Sequence, residues 1–370
     1  SLQDVTTTGT QSYTGAITTN STYTSDGSDI SFSGDLLLND ALTVDTGTGS
    51  GGSITFGGTV DSEDNETNDV TLTAGTGNID FDGAVGSTDA LGDLQINSAT
   101  NVTIDSTVAA NSLVQAAGSG TFTLGGALTT AGNDGESTPY AVSVTSNTID
   151  LNAGITAPGE AVDLNAGAGG LDLAAGHAVV TTALANSGIA SGDLTVDAAG
   201  TINLAGDLVT SGADHDAGTA SAAGSIEVTV ATDASAGLTV AGALLADGGD
   251  ATAGDNDGGA AGAITLDTAG GAIELASATL SATGGDAGSG AGAAGEGASI
   301  LFQDPVTLTT GASTVSNPGG ISDPNTVINF QQAVDGGQDL TLTAGSGDIA
   351  FDAAVGGTTR LGALTLQSAG

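Results

Sequence analysis

Carboxylates are the residues of this chain whose type and spacing could do chemistry. Asp80 and Asp82 are two residues apart in a predicted strand, so both side chains are expected on one outward face. Glycoside hydrolysis uses two carboxyl groups at a fixed separation, one of them with a raised pKa. A second copy of the surrounding segment has Ala350 and Asp352 at these positions. The pair is therefore not a constant part of the pattern, and we interpret it as solvated carboxylates that flank a buried Phe81.

Other catalytic arrangements find little support. A polysaccharide lyase usually needs a cationic base or neutralising group. Arg360 is the only Lys or Arg in the 370 residues and is a poor candidate for this role. His177 and His215 are far apart in the sequence, and neither belongs to a catalytic motif with a Ser or Cys nucleophile. The sequence contains no zinc-ligand spacing, phosphate-binding Gly loop or nucleophile elbow. It predicts that the protein is not an enzyme.

Calcium is the cofactor that the sequence could accommodate best. Three segments rich in Gly, Ala and Asp, near 211–225, 247–263 and 283–299, are predicted to be loops inserted on one side of a repeat. Their carboxylates could supply the oxygen ligands that Ca²⁺ prefers, although they match neither the EF-hand loop nor the Gly-rich nonapeptide repeat. The loops could form a binding ridge or be flexible low-complexity segments, and we favour the second interpretation. The candidate calcium ligands are Asp214, Asp216, Asp247, Asp250, Asp255 and Asp257.

The charge of the chain limits its partners. Its formal net charge is −42, with 43 Asp and Glu residues against one Lys or Arg. Nucleic-acid binding relies on Lys and Arg to neutralise phosphates, so nucleic acid is not expected as a partner, and an anionic membrane surface would repel the chain. Cations are the natural counter-species, and solubility is the simplest use of the charge. There is no Cys, the segment 1–25 lacks a signal-peptide pattern, and no apolar stretch reaches transmembrane length.

Short apolar pairs at period-2 spacing run through the chain. In the recurrent frame an apolar residue is followed by another two positions later and a third four positions after that, as in Ile79, Phe81 and Val85. Because residues i and i+2 of a strand share a face, parallel coils would place each frame over the same frame of the next coil. We therefore predict an all-β, right-handed parallel β-helix (a solenoid) of about 12–15 coils of roughly 20–35 residues, with 1–370 as a single elongated domain. Six phenylalanines take the middle slot and are the predicted core rungs: Phe32, Phe56, Phe81, Phe302, Phe330 and Phe351.

A long internal copy supports a repeat architecture. The segment Thr71–Ala99 recurs as Thr341–Ala369, 270 positions later, with most positions matching. The frame before the first copy carries four extra residues, and they fall in the acidic turn 61–68. Length changes confined to polar turns, with the apolar frames in step, are typical of stacked repeats.

The sequence motifs of several segments resemble those of a known family. The motifs DVTTTGTQSYTGAI (4–17), DISFSG (29–34), ITFGGTV (54–60) and TLTAGTGNIDFDGAVG (71–86) are similar to repeats of filamentous-haemagglutinin-like large bacterial exoproteins. The resemblance covers nearly the whole chain. It implies a right-handed β-helical shaft, an extracellular or cell-surface location, and a structural or adhesive role.

Together these observations predict a structural extracellular repeat unit that forms a rigid rod or a head-to-tail fibre of a giant surface or secreted protein. Its partners would be copies of itself or neighbouring repeats joined end to end, together with cations, and it would not insert into membranes. The alternative is an adhesin segment that binds carbohydrate or a host surface. Sugar-binding platforms usually expose aromatic rings, and only Tyr13, Tyr23 and Tyr140 are available outside the Phe frames.

Overall fold

The computed structural model describes residues 4–49, 51–131, 140–231, 236–319 and 326–367. Regular secondary structure in these ranges consists of strands alone, and all strand pairings with a defined register are parallel. The predicted all-β, parallel coil architecture is confirmed, whereas its right-handed winding stays a prediction. Residue contacts divide the chain into two compact units. Unit 1 comprises Ser1–Thr156 and Asp163–Gly169, and unit 2 comprises Ala157–Val162 and Gly170–Gly370.

Unit 1 is built from short strands that follow one another at small intervals. They are β1 (Val5–Thr7), β2 (Gln11–Tyr13), β3 (Ile17–Thr19), β4 (Thr22–Ser25), β5 (Ile30–Phe32), β6 (Leu36–Leu38), β7 (Leu42–Asp45), β8 (Ile54–Phe56), β9 (Val60–Ser62), β10 (Val70–Thr73), β11 (Ile79–Phe81), β12 (Leu91–Ser98), β13 (Val102–Ile104), β14 (Val108–Gln115), β15 (Thr121–Leu124), β16 (Leu128–Thr130), β17 (Val142–Leu151) and β18 (Ile155–Thr156).

Three parallel ladders organise unit 1. The first joins β1, β4, β7, β10, β12, β14 and β17, the second joins β2, β5, β8, β11, β13, β15 and β17, and the third includes β3, β6 and β9. As far as β10 and β11, every third strand returns to the same ladder; beyond them, most steps along a ladder are only two strands. Alternate residues in the ladders are buried, because a strand points successive side chains to opposite faces.

Unit 2 repeats this plan with longer connections. The strand β19 (Val162–Leu173) contributes residues to both units. The remaining strands are β20 (Ala178–Val180), β21 (Leu194–Ala198), β22 (Ile202–Leu204), β23 (Asp207–Val209), β24 (Ile226–Val230), β25 (Leu238–Val240), β26 (Ala243–Leu245), β27 (Ile264–Asp267), β28 (Ile273–Ala276), β29 (Thr279–Ser281), β30 (Ile300–Phe302), β31 (Val306–Thr310), β32 (Ser313–Ser316), β33 (Val327–Phe330), β34 (Val334–Gly336), β35 (Leu340–Thr343), β36 (Asp348–Phe351) and β37 (Leu364–Gln367).

The length of a coil can be read from the register of each ladder. In the second ladder of unit 1, the shortest step runs from Tyr13 to Phe32 and the longest from Leu124 to Leu151. In the ladder of unit 2 that contains β22, β25, β28, β31 and β34, the longest step runs from Leu204 to Val240. The observed coils therefore lie close to the predicted range, and unit 2 has the longer ones.

The aromatic rungs stack as the frame predicts, in one series within each unit. In unit 1, Phe32 stacks on Phe56 and Phe56 on Phe81, with ring centroids 5.5 and 4.8 Å apart and rings within 10° of parallel. In unit 2, Phe302 stacks on Phe330 at 4.4 Å and Phe330 on Phe351 at 5.1 Å. Stacked rings attract each other more strongly than the burial of their surface area alone would predict.

Five of the six predicted rung phenylalanines are almost fully buried, and Phe351 is only half-buried. Phe351 pairs with Phe330 through β33 and β36, but no strand of the described residues covers its other side. A core rung needs a neighbour above and below it, and Phe351 has one of the two.

The two sequence copies adopt the same local structure, and each is one complete turn. In the first copy, Leu72 of β10 pairs with Ile96 of β12. In the second copy, Leu342 of β35 pairs with Leu366 of β37. The number of residues between a strand and its ladder partner is therefore the same in both copies.

Candidate functional site

The three inserted segments of unit 2 lie on top of one another as hydrogen-bonded layers. Each leaves the end of one strand and returns to the start of another, between β23 and β24, β26 and β27, and β29 and β30. The outgoing arms are joined from layer to layer: the Gly212 N–H donates to the Asp247 carbonyl at 2.7 Å, and the Gly248 N–H donates to the Thr283 carbonyl at 2.8 Å. The inserts thus continue the coil-to-coil bonding beyond the strands.

The returning arms bond to the outgoing arms. The Gly259 N–H donates to the Gly249 carbonyl at 2.8 Å, and the Gly249 N–H donates to the Ser221 carbonyl of the preceding layer at 3.0 Å. A Cβ atom at Gly259 would overlap the Ser221 carbonyl, so the close approach of the backbones requires glycine here. The Gly-rich composition is therefore a packing requirement, and the bonding does not fit the interpretation of flexible low-complexity loops.

A carboxylate ladder runs along these layers with the period of the coil. Asp214 Oδ1 accepts the N–H of Asp250 at 2.9 Å, and Asp250 Oδ1 accepts the N–H of Asp286 at 2.7 Å. In both bonds the donor follows its acceptor by 36 positions in the sequence. Two of the six candidate calcium ligands, Asp214 and Asp250, are therefore brought together in neighbouring layers, but as partners of backbone amides.

The other four candidates are also held by neighbouring layers. Asp247 Oδ1 accepts the N–H of Thr283 at 2.7 Å. Asp216 accepts a hydrogen bond from the Thr252 hydroxyl at 3.0 Å. Asp255 Oδ1 and Asp257 Oδ1 accept the N–H groups of Ala291 and Ala293 at 2.8 and 2.7 Å.

The six candidate carboxylates are spread out rather than gathered, and calcium binding by them stays a prediction. In the part of the chain that the structure describes, no group of three or more His, Cys, Asp and Glu side chains is arranged to hold a metal ion. A calcium ion needs several oxygen ligands that converge on one point. Here the carboxylates are spread along the stack, and one oxygen of each already accepts a hydrogen bond from the next layer.

The same carboxylate-to-amide bond recurs outside the inserts. In unit 1, Asp29 accepts the N–H of Ser53 at 2.8 Å, 24 positions later in the sequence. In unit 2, Asp335 accepts the N–H groups of Thr359 and Thr358 at 3.0 and 2.8 Å, and these bonds lower the pKa of Asp335. Much of the acidity of the chain thus has a structural use that composition alone did not reveal. The signal in the sequence is the recurrence of Asp one coil length apart, as at 214, 250 and 286.

Asp80 lies on the outward side of β11, beside Thr103 of the next coil. Burial raises the pKa of Asp80, the negative charges of Asp82 and Asp105 add to the effect, and a hydrogen bond from Thr103 opposes it. A raised pKa can mark a general acid. Here its causes are ordinary strand packing and two like charges.

The two histidines occupy different turns of unit 2. His177 lies just before β20, where its carbonyl accepts the N–H of Asp207 at 2.9 Å. The backbone of His215 bridges to Ala251 of the next layer, and its Nδ1 accepts the N–H of Ala217 at 3.2 Å. Both residues therefore serve the bonding of turns.

The candidate sugar platform is largely internal. Tyr23 is fully buried, and its hydroxyl is 2.8 Å from the Thr19 hydroxyl. Tyr13 stacks on Phe32 at 5.0 Å. Among the described aromatic side chains, Tyr140 alone is exposed, with 37% of its surface accessible.

Comparison with known proteins gives no relative: no family model, curated protein or solved structure matches the chain. Among the described residues, none belongs to a helix long and apolar enough to cross a membrane.

Proposed function

We propose that this chain is a structural repeat unit whose stacked coils act as a rigid spacer in a large extracellular or cell-surface protein. One observation carries the proposal: in both units, turn carboxylates accept backbone N–H groups of the following coil. The turns of such a stack fix the register of the next coil instead of presenting free groups to a ligand. The resemblance to filamentous-haemagglutinin-like exoproteins supports the extracellular setting.

The core supports the same role. A stack in which each inward residue contacts its equivalent in the next coil resists bending because neighbouring coils share every ladder. Phe32, Phe56 and Phe81 form such a series, and cavities between rigid rings would be costly. A spacer needs this stiffness, whereas an enzyme needs a concave site with converging groups.

In unit 2, no other described strand covers one side of β37, and this face supports the proposal of end-to-end joining. Leu364 and Leu366 of β37 are 41% and 52% exposed, whereas their equivalents in the first copy, Leu94 and Ile96 of β12, are fully buried beneath β14. Unpaired strand edges favour the addition of another strand. A further coil, from the same protein or from a second copy, would bury this face.

Distance measurement between two spin labels tests the spacer role. The chain has no Cys, so Ser12→Cys and Thr123→Cys place single labels on β2 and β15, five rungs apart in one ladder. At about 4.8 Å a rung the backbone separation should be roughly 24 Å, with a narrow distribution. Deleting residues 33–56, one coil, should shorten it by about 5 Å.

A broad distance distribution in the full chain would contradict a rigid spacer. An unchanged distance after the deletion would show that the coils do not set the length. The same labelled protein in strong denaturant provides the control for a flexible chain, because its distance distribution should be broad.

A further inference from the structure

A small groove lies on the outer surface of unit 1, over the three-stranded sheet β3–β6–β9. Its volume is about 280 Å³. That is below the usual size of a pocket for a whole small-molecule ligand and suits a single side chain. It is lined by Ala16, Ile17, Thr18, Asp35, Leu36, Leu37, Thr59 and Asp61.

The apolar part of the groove is an outward-facing leucine. Leu36, Leu37 and Leu38 are consecutive in β6, and a strand can point only alternate residues inward. Leu36 and Leu38 are accordingly buried, and Leu37 is 39% exposed. The run of three leucines breaks the period-2 pattern, so the exposed apolar position has a signal in the sequence.

Carboxylates stand on two sides of Leu37. Asp61 is directly opposite Leu37 in the ladder register, and Asp35 is two residues before it in the chain. Asp61 is only 8% exposed, yet it faces a groove with no cation of its own chain among the lining residues.

Each carboxylate has one oxygen in a firm hydrogen bond. Asp61 Oδ1 accepts the Thr88 N–H at 2.8 Å and the Ser87 hydroxyl at 3.2 Å, while its Oδ2 has only a 3.5 Å contact with that hydroxyl. Asp35 Oδ1 accepts the Thr59 N–H at 3.0 Å. The backbone bonds fix both carboxylates in place and leave acceptor capacity for a cation.

We propose that this groove binds the side chain of a lysine from another protein. The four-carbon stem of lysine can cover Leu37 while its ammonium group reaches Asp35 and Asp61, a combination of apolar contact and charge-assisted hydrogen bonding. The lysine comes from outside these 370 residues, which contain no Lys and a single Arg, Arg360. The surrounding charge of −42 would also attract a basic partner over a distance.

Titration followed by methyl NMR tests the proposal on the full chain. The probe is N-acetyl-lysine N-methylamide, which carries the lysine side chain without a free α-amine. The matched control is N-acetyl-norleucine N-methylamide, which keeps an aliphatic stem and lacks the ammonium group. The lysine probe should shift the Leu37 methyl signals saturably, and the norleucine control should bind at least about tenfold more weakly, as expected for the loss of a charge-assisted hydrogen bond.

Variants separate this site from general attraction. Asp61→Asn keeps an acceptor for the Thr88 N–H and should weaken lysine binding by about tenfold. Asp26→Asn makes the same charge change at an exposed turn of unit 1 and should leave binding unchanged. Leu37→Ser, at an outward position, should also weaken binding without unfolding the protein, and the methyl signals of Ile17, which also lines the groove, report binding in this variant.

Three results would overturn the proposal. The norleucine control could bind as well as the lysine probe, which would indicate a purely apolar groove. Asp26→Asn could weaken binding as much as Asp61→Asn, which would indicate unspecific attraction to an acidic surface. Putrescine could bind more tightly than the lysine probe, which would indicate a site for a free diamine.

Discussion

Both units have stacked phenylalanines in the interior of their coils, but unit 2 also has inserts that pack in a different way. In unit 1, where coils are short, aromatic side chains such as Phe56 stack at 4.8 to 5.5 Å and occupy the interior. In unit 2, the inserts pack backbone against backbone, and at Gly259 there is no room even for a Cβ atom. The comparison shows that coil length can grow by adding a layer that needs no side chains, provided that glycine occupies the contact positions.

The units share the device that sets the register between coils. Asp29 in unit 1 and Asp250 in unit 2 each accept the N–H of a residue one coil later, although that residue is 24 positions away in the first case and 36 in the second. The carboxylate therefore acts locally at a turn, and its use does not depend on what fills the interior. Two predictions sharpen the contrast between side-chain and backbone packing, a third tests the carboxylate ladder, and a fourth concerns the pKa values of two carboxylates.

The largest effect is expected from removing a central ring of unit 1. Phe56→Ala deletes a side chain that is stacked on both faces and should lower the free energy of unfolding of unit 1 by about 4 kcal/mol, from lost burial and the cavity left behind. Amide hydrogen exchange resolves the effect by unit, since local stability can differ along a stack of repeats.

Phe351→Ala is the matched control for this prediction. Phe351 stacks on Phe330 alone and is half-buried, so the same substitution should cost unit 2 about half as much. Equal losses for the two variants would mean that stacking on both faces does not govern the stability of a rung.

The next effect is expected from adding a single methyl group to an insert of unit 2. Gly259→Ala places a Cβ atom against the Ser221 carbonyl and should destabilise the layers by about 2–3 kcal/mol, because backbone atoms must move to relieve the overlap. Hydrogen exchange should increase at the Gly249 N–H, which donates to the same carbonyl.

Gly337→Ala is the control in the same unit. A Cβ atom at Gly337 would have no heavy atom within 4 Å, and the backbone there does not require a positive φ. Alanine should be neutral or slightly stabilising at this position, since it restricts the unfolded chain. If Gly259→Ala were equally harmless, the layers would be looser than their hydrogen bonds indicate.

The strands could be predicted from the sequence because their signal is local. Pairs such as Ile79 and Phe81 fix which face is buried, and the spacing of successive frames fixes the ladder partner. The packing of the inserts could not be predicted, because it depends on which glycine meets which carbonyl of a distant part of the sequence. From the sequence, Asp214 is a residue able to bind calcium. Only the alignment of neighbouring layers in the structure shows that its Oδ1 already accepts a hydrogen bond from the Asp250 N–H.

A smaller effect is expected from cutting one step of the carboxylate ladder. Asp250→Ala removes the acceptor for the Asp286 N–H and should cost the inserts of unit 2 about 1 kcal/mol. Asp250→Asn retains an acceptor oxygen and should cost less. Chemical denaturation combined with hydrogen exchange at the Asp286 amide measures both.

Asp352→Ala supplies the control for charge alone. Asp352 is exposed, and its side chain makes no hydrogen bond to the described residues, so its removal only lowers the net negative charge. This variant should be neutral or slightly stabilising. Stabilisation by Asp250→Ala as well would mean that relief of charge repulsion outweighs the hydrogen bond.

The smallest effect concerns two carboxylates whose pKa values move in opposite directions. Burial raises the pKa of Asp80 above its ordinary value of about 3.9, so its ionised form opposes folding of unit 1 at neutral pH. Asp80→Asn should therefore stabilise the protein at pH 7. The gain should shrink as the pH falls through the folded pKa of Asp80 and vanish below the ordinary pKa, where the wild-type carboxyl is protonated in both states.

Asp335 in unit 2 should show the reverse dependence. The N–H groups of Thr359 and Thr358 lower its pKa, so its ionised form favours folding above the ordinary pKa, and this contribution is lost as the pH falls through the folded pKa. Carboxyl NMR titration measures both groups in one sample, with Asp80 expected to titrate at a higher pH than Asp335. The opposite order would mean that at least one of the two pKa shifts has the other sign. If the pKa of Asp80 is the one that is not raised, Asp80→Asn has no pH-dependent gain to lose.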